Sequence, residues 1–373
     1  MPSSTTPDRA EAVYQYSDLT AARQVSLVSP AIRSGALATY DGALTPLAEH
    51  KVAGLVNRAA AIAVDSGSSA LRLILHGLGI RPGDQVIVPE AGWVTVGGAA
   101  AILGADVVVA PVDTSLTPCW DQVEPLITDA TKAVIICHLR GRPAPDIARI
   151  SQHLTELGIH LVEDCAQGWG VDAAGRPAGS WGTATAFSTH SFKLVATGEG
   201  GFAAADDTEL VSLMRALSGD TRHGTPTPAW RSKSRMGEAI AGLAVPQLDA
   251  LPELVKSLRT LHKHAVAALD IDGITLVPDT NGIGNGAHVG MWTPAPGIAR
   301  HLSASLHRAK FRSWWPGPGD LHTAAAWPVQ AEHGEHNLTR YLDVQIPWLP
   351  DHQHAAFAEH LAATVRNALG ERR

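Results

Sequence analysis

Four short groups of residues in this 373-residue chain could do chemistry by their types and spacing. Asp65-Ser66-Gly67-Ser68-Ser69 joins an apolar run (61–64) to a helical stretch (70–77). Glycine lets the backbone approach a ligand closely, and hydroxyls, amides and a helix N-terminus favour an anion. Gly67, Ser68 and Ser69 are therefore candidate phosphate donors, with a plain N-cap turn as the alternative. Glu90-Ala91-Gly92-Trp93 follows the apolar run 85–89, and Trp93 either stacks on a planar ligand or fills the core. Glu163-Asp164-Cys165-Ala166-Gln167 closes another apolar run, 158–163. A carboxylate there is desolvated and needs a partner such as a cationic ring nitrogen to stay ionised, unless Asp164 only caps a helix. Finally, residues 187–193 run from apolar sequence into Lys193, one of seven lysines. A solvated lysine is the ordinary case; here the flanks are small or apolar, and burial lowers an amine toward nucleophilic use.

Each group alone has a bland reading. Together they supply a phosphate site, an aromatic face, an acid for a ring nitrogen and a desolvated lysine, which is the inventory of a pyridoxal 5'-phosphate (PLP) site. Lys193 would hold the cofactor as a Schiff base and Asp164 would keep its ring nitrogen protonated. Ser68, Ser69 and Ser188 would donate to the phosphate, and Trp93 would stack on the ring.

The elements that must position these groups follow from periodicity. Strand-like runs at 61–64, 85–89, 107–112, 133–138, 158–163 and 184–188 alternate with helical stretches at 70–77, 94–103, 120–127 and 145–157. That alternation predicts βαβ units and a mainly parallel sheet, whose ligands bind beyond the carboxyl ends of the strands. All four groups fall at such ends. A helical region over 235–269, interrupted near Pro246 and Pro252, follows. Strand-like pieces at 274–277 and 289–292 and a terminal helix at 354–369 complete the chain. The expected organisation is an N-terminal segment (1–50) packing on the domains, a large α/β domain (51–245) and a small α+β domain (246–373).

Hydrophobic residues at 45% and charged residues at 17% describe a folded chain, not a disordered one. A net charge of −7 with no basic block gives no reason to expect nucleic acid or an anionic membrane as partner. Three cysteines without CxxC spacing suit a reducing compartment and argue against structural zinc. The His333/His336 and His352/His354 pairs are what eighteen scattered histidines produce by chance, so no metal is expected. The N-terminus has no apolar signal region, and the stretch 97–112 is broken by Asp106 and too short to span a bilayer. A cytoplasmic protein is expected.

The order SGSSAL (66–71), GIRPGDQVIVPEAGWV (79–94), ITDATKAVIICHLRG (127–141), GIHLVEDCAQGWG (158–170) and AFSTHSFKLVATGEGGF (186–202) resembles the DegT/DnrJ/EryC1/StrS family. These are fold type I PLP enzymes that mostly aminate keto-sugars and keto-cyclitols. The resemblance implies a large domain with a seven-stranded-type, mainly parallel sheet, and a homodimer whose sites are each completed by two chains. It also implies that Lys193 holds the cofactor and Asp164 its ring nitrogen. Gln167 would approach the pyridoxal hydroxyl side, Ser68 and Ser188 would bind phosphate, and Trp93 would stack. Trp93 followed by Val-Thr, and KLVATGEGG after Phe192, look like the branch that aminates cyclitols.

Three positions depart from the family's usual pattern or vary within it. Lys233 stands where the family places an asparagine on the neighbouring subunit's phosphate, and a lysine can still bind phosphate as a point charge. Arg140 stands where tyrosine is common; it would clamp a donor carboxylate or an acidic acceptor, or else sit at the surface. His190 would touch substrate, as in some sugar aminotransferases.

The expected reaction is ping-pong transamination from glutamine or glutamate to a keto-cyclitol or keto-sugar of secondary metabolism. Relatives that dehydrate sugars with a histidine in place of the lysine are excluded by Lys193. Two rivals remain: a dehydratase or lyase of the aminohydroxybenzoate-synthase kind, and a non-catalytic partner that keeps the fold.

Overall fold

The computed structural model describes residues 17–40, 42–220, 231–279, 281–317, 320 and 338–370. Helices α1 (Ser17–Ser34) and α2 (Leu44–Leu55) lead into strand β1 (Ala60–Val64). Then follow α3 (Gly67–Gly77), β2 (Gln85–Pro89), α4 (Thr95–Ala101), β3 (Asp106–Ala110), α5 (Trp120–Val123), β4 (Thr131–Cys137), α6 (Ile147–Leu157) and β5 (His160–Asp164). Two short strands, β6 (Asp172–Ala173) and β7 (Arg176–Pro177), precede β8 (Ala184–Ser188), β9 (Gly201–Ala205) and α7 (Thr208–Leu217).

Strands β1 to β5, β8 and β9 form one seven-stranded sheet in the order β1-β9-β8-β5-β4-β2-β3. Only β9 runs against its neighbours. Runs such as VIV in β2 and AVII in β4 are buried continuously, as a sheet covered on both faces requires. The βαβ crossings put the carboxyl ends of β1, β2, β4, β5 and β8 on one edge.

The chain then enters α8 (Glu238–Ala268), 31 residues long with Pro246 and Pro252 inside it. The prolines do not break it, contrary to the expectation from their ring geometry. Each lacks an N–H, a cost of roughly 3 kcal/mol in an isolated helix interior. Packing against α1 and α2 on one stretch, and the burial of Leu248, Leu251, Leu254, Val255 and Leu258, offset that loss. After α8 come β10 (Thr275–Leu276), β11 (Gly282–Ile283), β12 (His288–Trp292), α9 (Pro296–Arg308), β13 (Ser313–Trp314), β14 (Tyr341–Gln345) and α10 (His354–Leu369). Strands β10-β12-β14-β13 make an antiparallel four-stranded sheet, and β11-β6-β7 a small third one. α10 ends at Gly370 in the left-handed conformation, the usual helix stop.

Glu163 shows how tightly the main sheet is tied. Its side chain is fully buried and accepts from His138 Nε2 at 2.9 Å and from the amides of Gly179, Trp181 and Gly182 at 2.7–2.8 Å. Burial pushes the carboxyl up, but these donors outweigh it and hold Glu163 below its ordinary value. The Ala144 amide donates to His138 Nδ1, so Nε2 carries the hydrogen that Glu163 receives.

Candidate active site

A cavity of about 690 Å³ lies beyond the carboxyl edge of the large sheet, between it and the four-stranded sheet. Its floor is built by chain reversals at the strand ends. After β1, Ser66 takes an extended conformation and its side chain accepts from the Ser69 amide, which starts α3. The first amides of α3 have no intrahelical acceptor and carry the positive end of the helix dipole. Close approach at this corner needs glycine twice. A Cβ on Gly67 would lie 2.9 Å from Ser188 Cβ, and one on Gly201 would meet Phe187 O, Ser66 C and Gly67 N at 2.6–2.7 Å. The ends of β1, β8 and the start of β9 therefore converge, and Ser188 sits beside the α3 N-terminus.

Of the candidates from sequence, Gly67, Ser68, Trp93, Arg140, Asp164, Gln167, Ser188, His190 and Lys193 all line this cavity. Ser68 donates to Thr95 Oγ1 at 3.1 Å. Trp93 is 43% exposed, which settles the choice offered by its sequence in favour of a cavity wall over the core. Gln167 accepts from the Arg140 amide at 2.6 Å, linking the ends of β4 and β5. Arg140 is buried, not at the surface. His190 is half-exposed at the mouth, edge-on to Phe192. Two candidates lie elsewhere. The Ser69 hydroxyl is engaged with Ser66 in the helix cap, and Lys233 is exposed and outside the cavity of its own chain.

Asp164 and Lys193 dominate the electrostatics. The Asp164 carboxylate is 9% exposed; Oδ1 accepts from the Ala166 amide at 2.8 Å, and Oδ2 has the Cys137 thiol at 3.8 Å. Burial raises its pKa; the Ala166 amide and the Lys193 charge oppose the rise without cancelling it. Lys193 is carried by the turn after β8. Burial lowers its amine from an ordinary 10.5 to about 8, with Asp164 pulling up and Arg140 pushing down.

That shift fixes a sign. Between about 8 and 10.5 the unfolded chain binds more protons at this lysine than the fold does, so the lysine's cost to stability is full below 8 and fades toward 10.5. Lys193→Met should raise the melting temperature of the cofactor-free protein most near pH 7, with the gain shrinking as pH climbs past 8. A gain independent of pH would show that the amine's titration is not the cause.

Several lining residues escaped the sequence reading: Thr95, Cys137, Asn285, His288, Arg312 and Asp343. Trp314 on β13 lines the cavity too. Among the described residues one group of metal-ligand type gathers, His138, Glu163 and Cys165. Its imidazole and carboxylate already satisfy each other and the neighbouring amides. His354 of the His352/His354 pair is buried and bonds Leu349 O, while His333 and His336 lie outside the described residues.

The sequence profile of the DegT/DnrJ/EryC1/StrS aminotransferase family matches residues 19–295, most of the chain. The chain belongs to this family. DesI, crystallised in the presence of its TDP-sugar product, is 28% identical, with a TM-score of 0.81 over 95% of this chain and 92% of its own. DesV of S. venezuelae, solved with a ketimine intermediate, is 25% identical, with a TM-score of 0.80 over 94% and 96%. A 3-amino-5-hydroxybenzoic acid synthase, 22% identical with a TM-score of 0.82 over 93% and 97%, shares the fold. This is a PLP-dependent aminotransferase of fold type I, in the family of the sugar aminotransferases.

The residues present fit the cofactor. A buried carboxylate with a single amide donor and a raised pKa lacks the cation that a protonated ring nitrogen brings. The α3 N-terminus beside Ser188 is an anion cradle, and Lys193 supplies an amine near the physiological range. No helix among the described residues is long and apolar enough to cross a membrane.

Proposed function

We propose that this enzyme moves an amino group from glutamine or glutamate to a keto-cyclitol or keto-sugar of secondary metabolism, by a ping-pong cycle in a homodimer. The observation that carries the chemistry is the pairing, in one cavity, of a half-buried lysine lowered to about 8 with a buried, upshifted aspartate. Support for the acceptor class comes from the family and from DesI, crystallised in the presence of its TDP-sugar product.

Lys193 would hold the cofactor covalently, and Asp164 would hold a proton at its ring nitrogen. Gly67, Ser68 and Ser188 would bind the phosphate at the α3 N-terminus. Trp93 would cover one ring face, and Gln167 would approach the ring hydroxyl. When bound, PLP supplies an electron sink that stabilises a carbanion at the carbon bearing the nitrogen. The released Lys193 Nζ would take a proton from that carbon and return it at the other end of the shift, as a general base and then acid. An amine near 8 suits both duties, because neither protonation state is costly at neutral pH. Lys233, exposed and outside its own chain's cavity, would serve the partner subunit's phosphate.

Nitrogen exchange tests the reaction. Incubated with 15N-labelled L-glutamate and unlabelled 2-oxoglutarate, the holoenzyme should pass label to its cofactor and on to fresh keto acid. Cofactor retention without any exchange would favour the lyase reading instead.

A further inference from the structure

Where the end of β4 meets the four-stranded sheet, the cavity wall holds more positive charge than the described residues balance. Arg140 follows β4 with φ 57 and ψ 28, a left-handed conformation that a non-glycine residue adopts only at a cost. Its side chain is 8% exposed. Nε lies 3.0 Å from Asp343 Oδ2 on β14, and the guanidinium carbon sits 3.9 Å above the Trp314 ring centroid. Nη2 is buried and meets no acceptor among the described residues.

Asp343 cannot neutralise this wall alone. Arg142, also buried, donates to Tyr341 Oη at 2.9 Å and keeps Nε and Nη1 without acceptors among the described residues. Asp343 also takes His288 Nδ1 at 3.2 Å and Tyr341 Oη at 3.4 Å. Burial keeps His288 low and pushes the Tyr341 phenol up to about 12, so neither adds or removes charge near neutral pH. Among the described residues, two guanidiniums therefore share the Asp343 carboxylate's surroundings, and Arg140 is the one on the cavity surface. A buried guanidinium with an idle N–H is costly unless an anion completes it.

We propose that Arg140, stacked on Trp314 and fixed by Asp343, binds a substrate carboxylate in this cavity. The proposal rests on the aminotransferase reading and adds a substrate feature to it. The cofactor phosphate has its own cradle at the α3 N-terminus, across the strand ends from Arg140. The planar fork suits a carboxylate; Asp343 stands at ion-pair distance from Nε, yet neither Nε nor Nη2 finds a hydrogen-bond acceptor among the described residues. Arg140 is also close enough to Lys193 to depress the amine, so an anion docked on it lies within electrostatic range of the reacting nitrogen. Both substrates of a ping-pong cycle visit this place. The carboxylate is that of the amino donor, or that of an acceptor that is a sugar acid.

The test uses PLP-loaded wild type, Arg140→Gln and Arg140→Lys. One arm follows cofactor absorbance against L-glutamine or L-glutamate concentration in single turnovers. The other measures inhibition of that change by D-glucuronate and by its neutral counterpart, D-glucose. Losing one charged hydrogen-bonded pair should raise half-saturation about 10- to 100-fold in R140Q, with the limiting rate little changed. R140K, keeping the charge without the fork, should recover part of it, and it carries the test if R140Q does not load cofactor.

A shift confined to the donor arm supports the proposal and assigns the carboxylate to the donor. Loss of a preference for glucuronate over glucose, with the donor arm unmoved, supports it and assigns the carboxylate to the acceptor. No shift in either arm overturns it. So does a collapsed limiting rate at unchanged half-saturation, which would make Arg140 a support for Lys193. If wild type shows no donor-dependent change at all, the aminotransferase reading fails on its own. Binding of glucuronate against glucose, read by calorimetry, then still decides for or against Arg140.

Discussion

Lys193→Ala is expected to lower amino transfer by about 10³- to 10⁴-fold, the upper range for losing a general acid–base group. The same variant should lose the yellow absorbance of cofactor joined to the protein. Both effects arise from one atom. In the proposed cycle Nζ would tie PLP down at rest and would move the proton once displaced, and no other amine lines the cavity among the described residues. The fold should survive, since the substitution removes an amine that burial already disfavours as a cation. Added small primary amines should restore part of the proton-transfer rate by entering the space left behind. Turnover near that of wild type would mean that another residue is the base.

Asp164→Asn should cost about 10²- to 10³-fold in kcat while leaving the protein folded, the range for removing one preorganised electrostatic contact. The amide keeps the carboxylate's shape and can still accept from the Ala166 amide. It cannot hold a positive ring nitrogen, so a bound cofactor would be a weaker electron sink. A second readout separates this from simple misfolding. The Asp164 charge supports the Lys193 ammonium, so its removal disfavours the charged amine and moves the lysine's titration further below about 8. The pH dependence of cofactor uptake by D164N should therefore shift to lower pH than in wild type. An unchanged pH profile together with normal kcat would remove Asp164 from the site.

Much of this was legible in the chain. The strands of the main sheet are short apolar runs ending in polar turns, and the site is built from those turns, so periodicity and local motif point to the same place. Lys193, Asp164, Ser188 and Trp93 each sit within a few residues of a strand end. Much of what escaped, Asn285, His288, Arg312 and Asp343, came from the second sheet and the chain leading into its strands. Asp343 lies in YLDVQ, where an aspartate flanked by apolar residues reads equally as an exposed edge-strand position. The pairing of β14 with β12 and β13, which sets Asp343 between Gly290 and Trp314 and within reach of His288, buries it. Ser69 shows the converse. Three hydroxyls in one motif look equivalent, and the extended backbone of Ser66 decides that Ser69 serves the helix cap and Ser68 the cavity. The unbroken α8 was hidden because proline geometry is local, whereas the packing that offsets it is not.

The most direct test is an absorbance spectrum of the purified, PLP-loaded protein before and after adding L-glutamine or L-glutamate. A yellow band that bleaches to the amine form of the cofactor, and is missing in Lys193→Ala, is the predicted result. A band that no amino acid changes would contradict the amino-transfer account and leave a lyase using the same lysine. A protein that never takes up the cofactor would contradict the site itself.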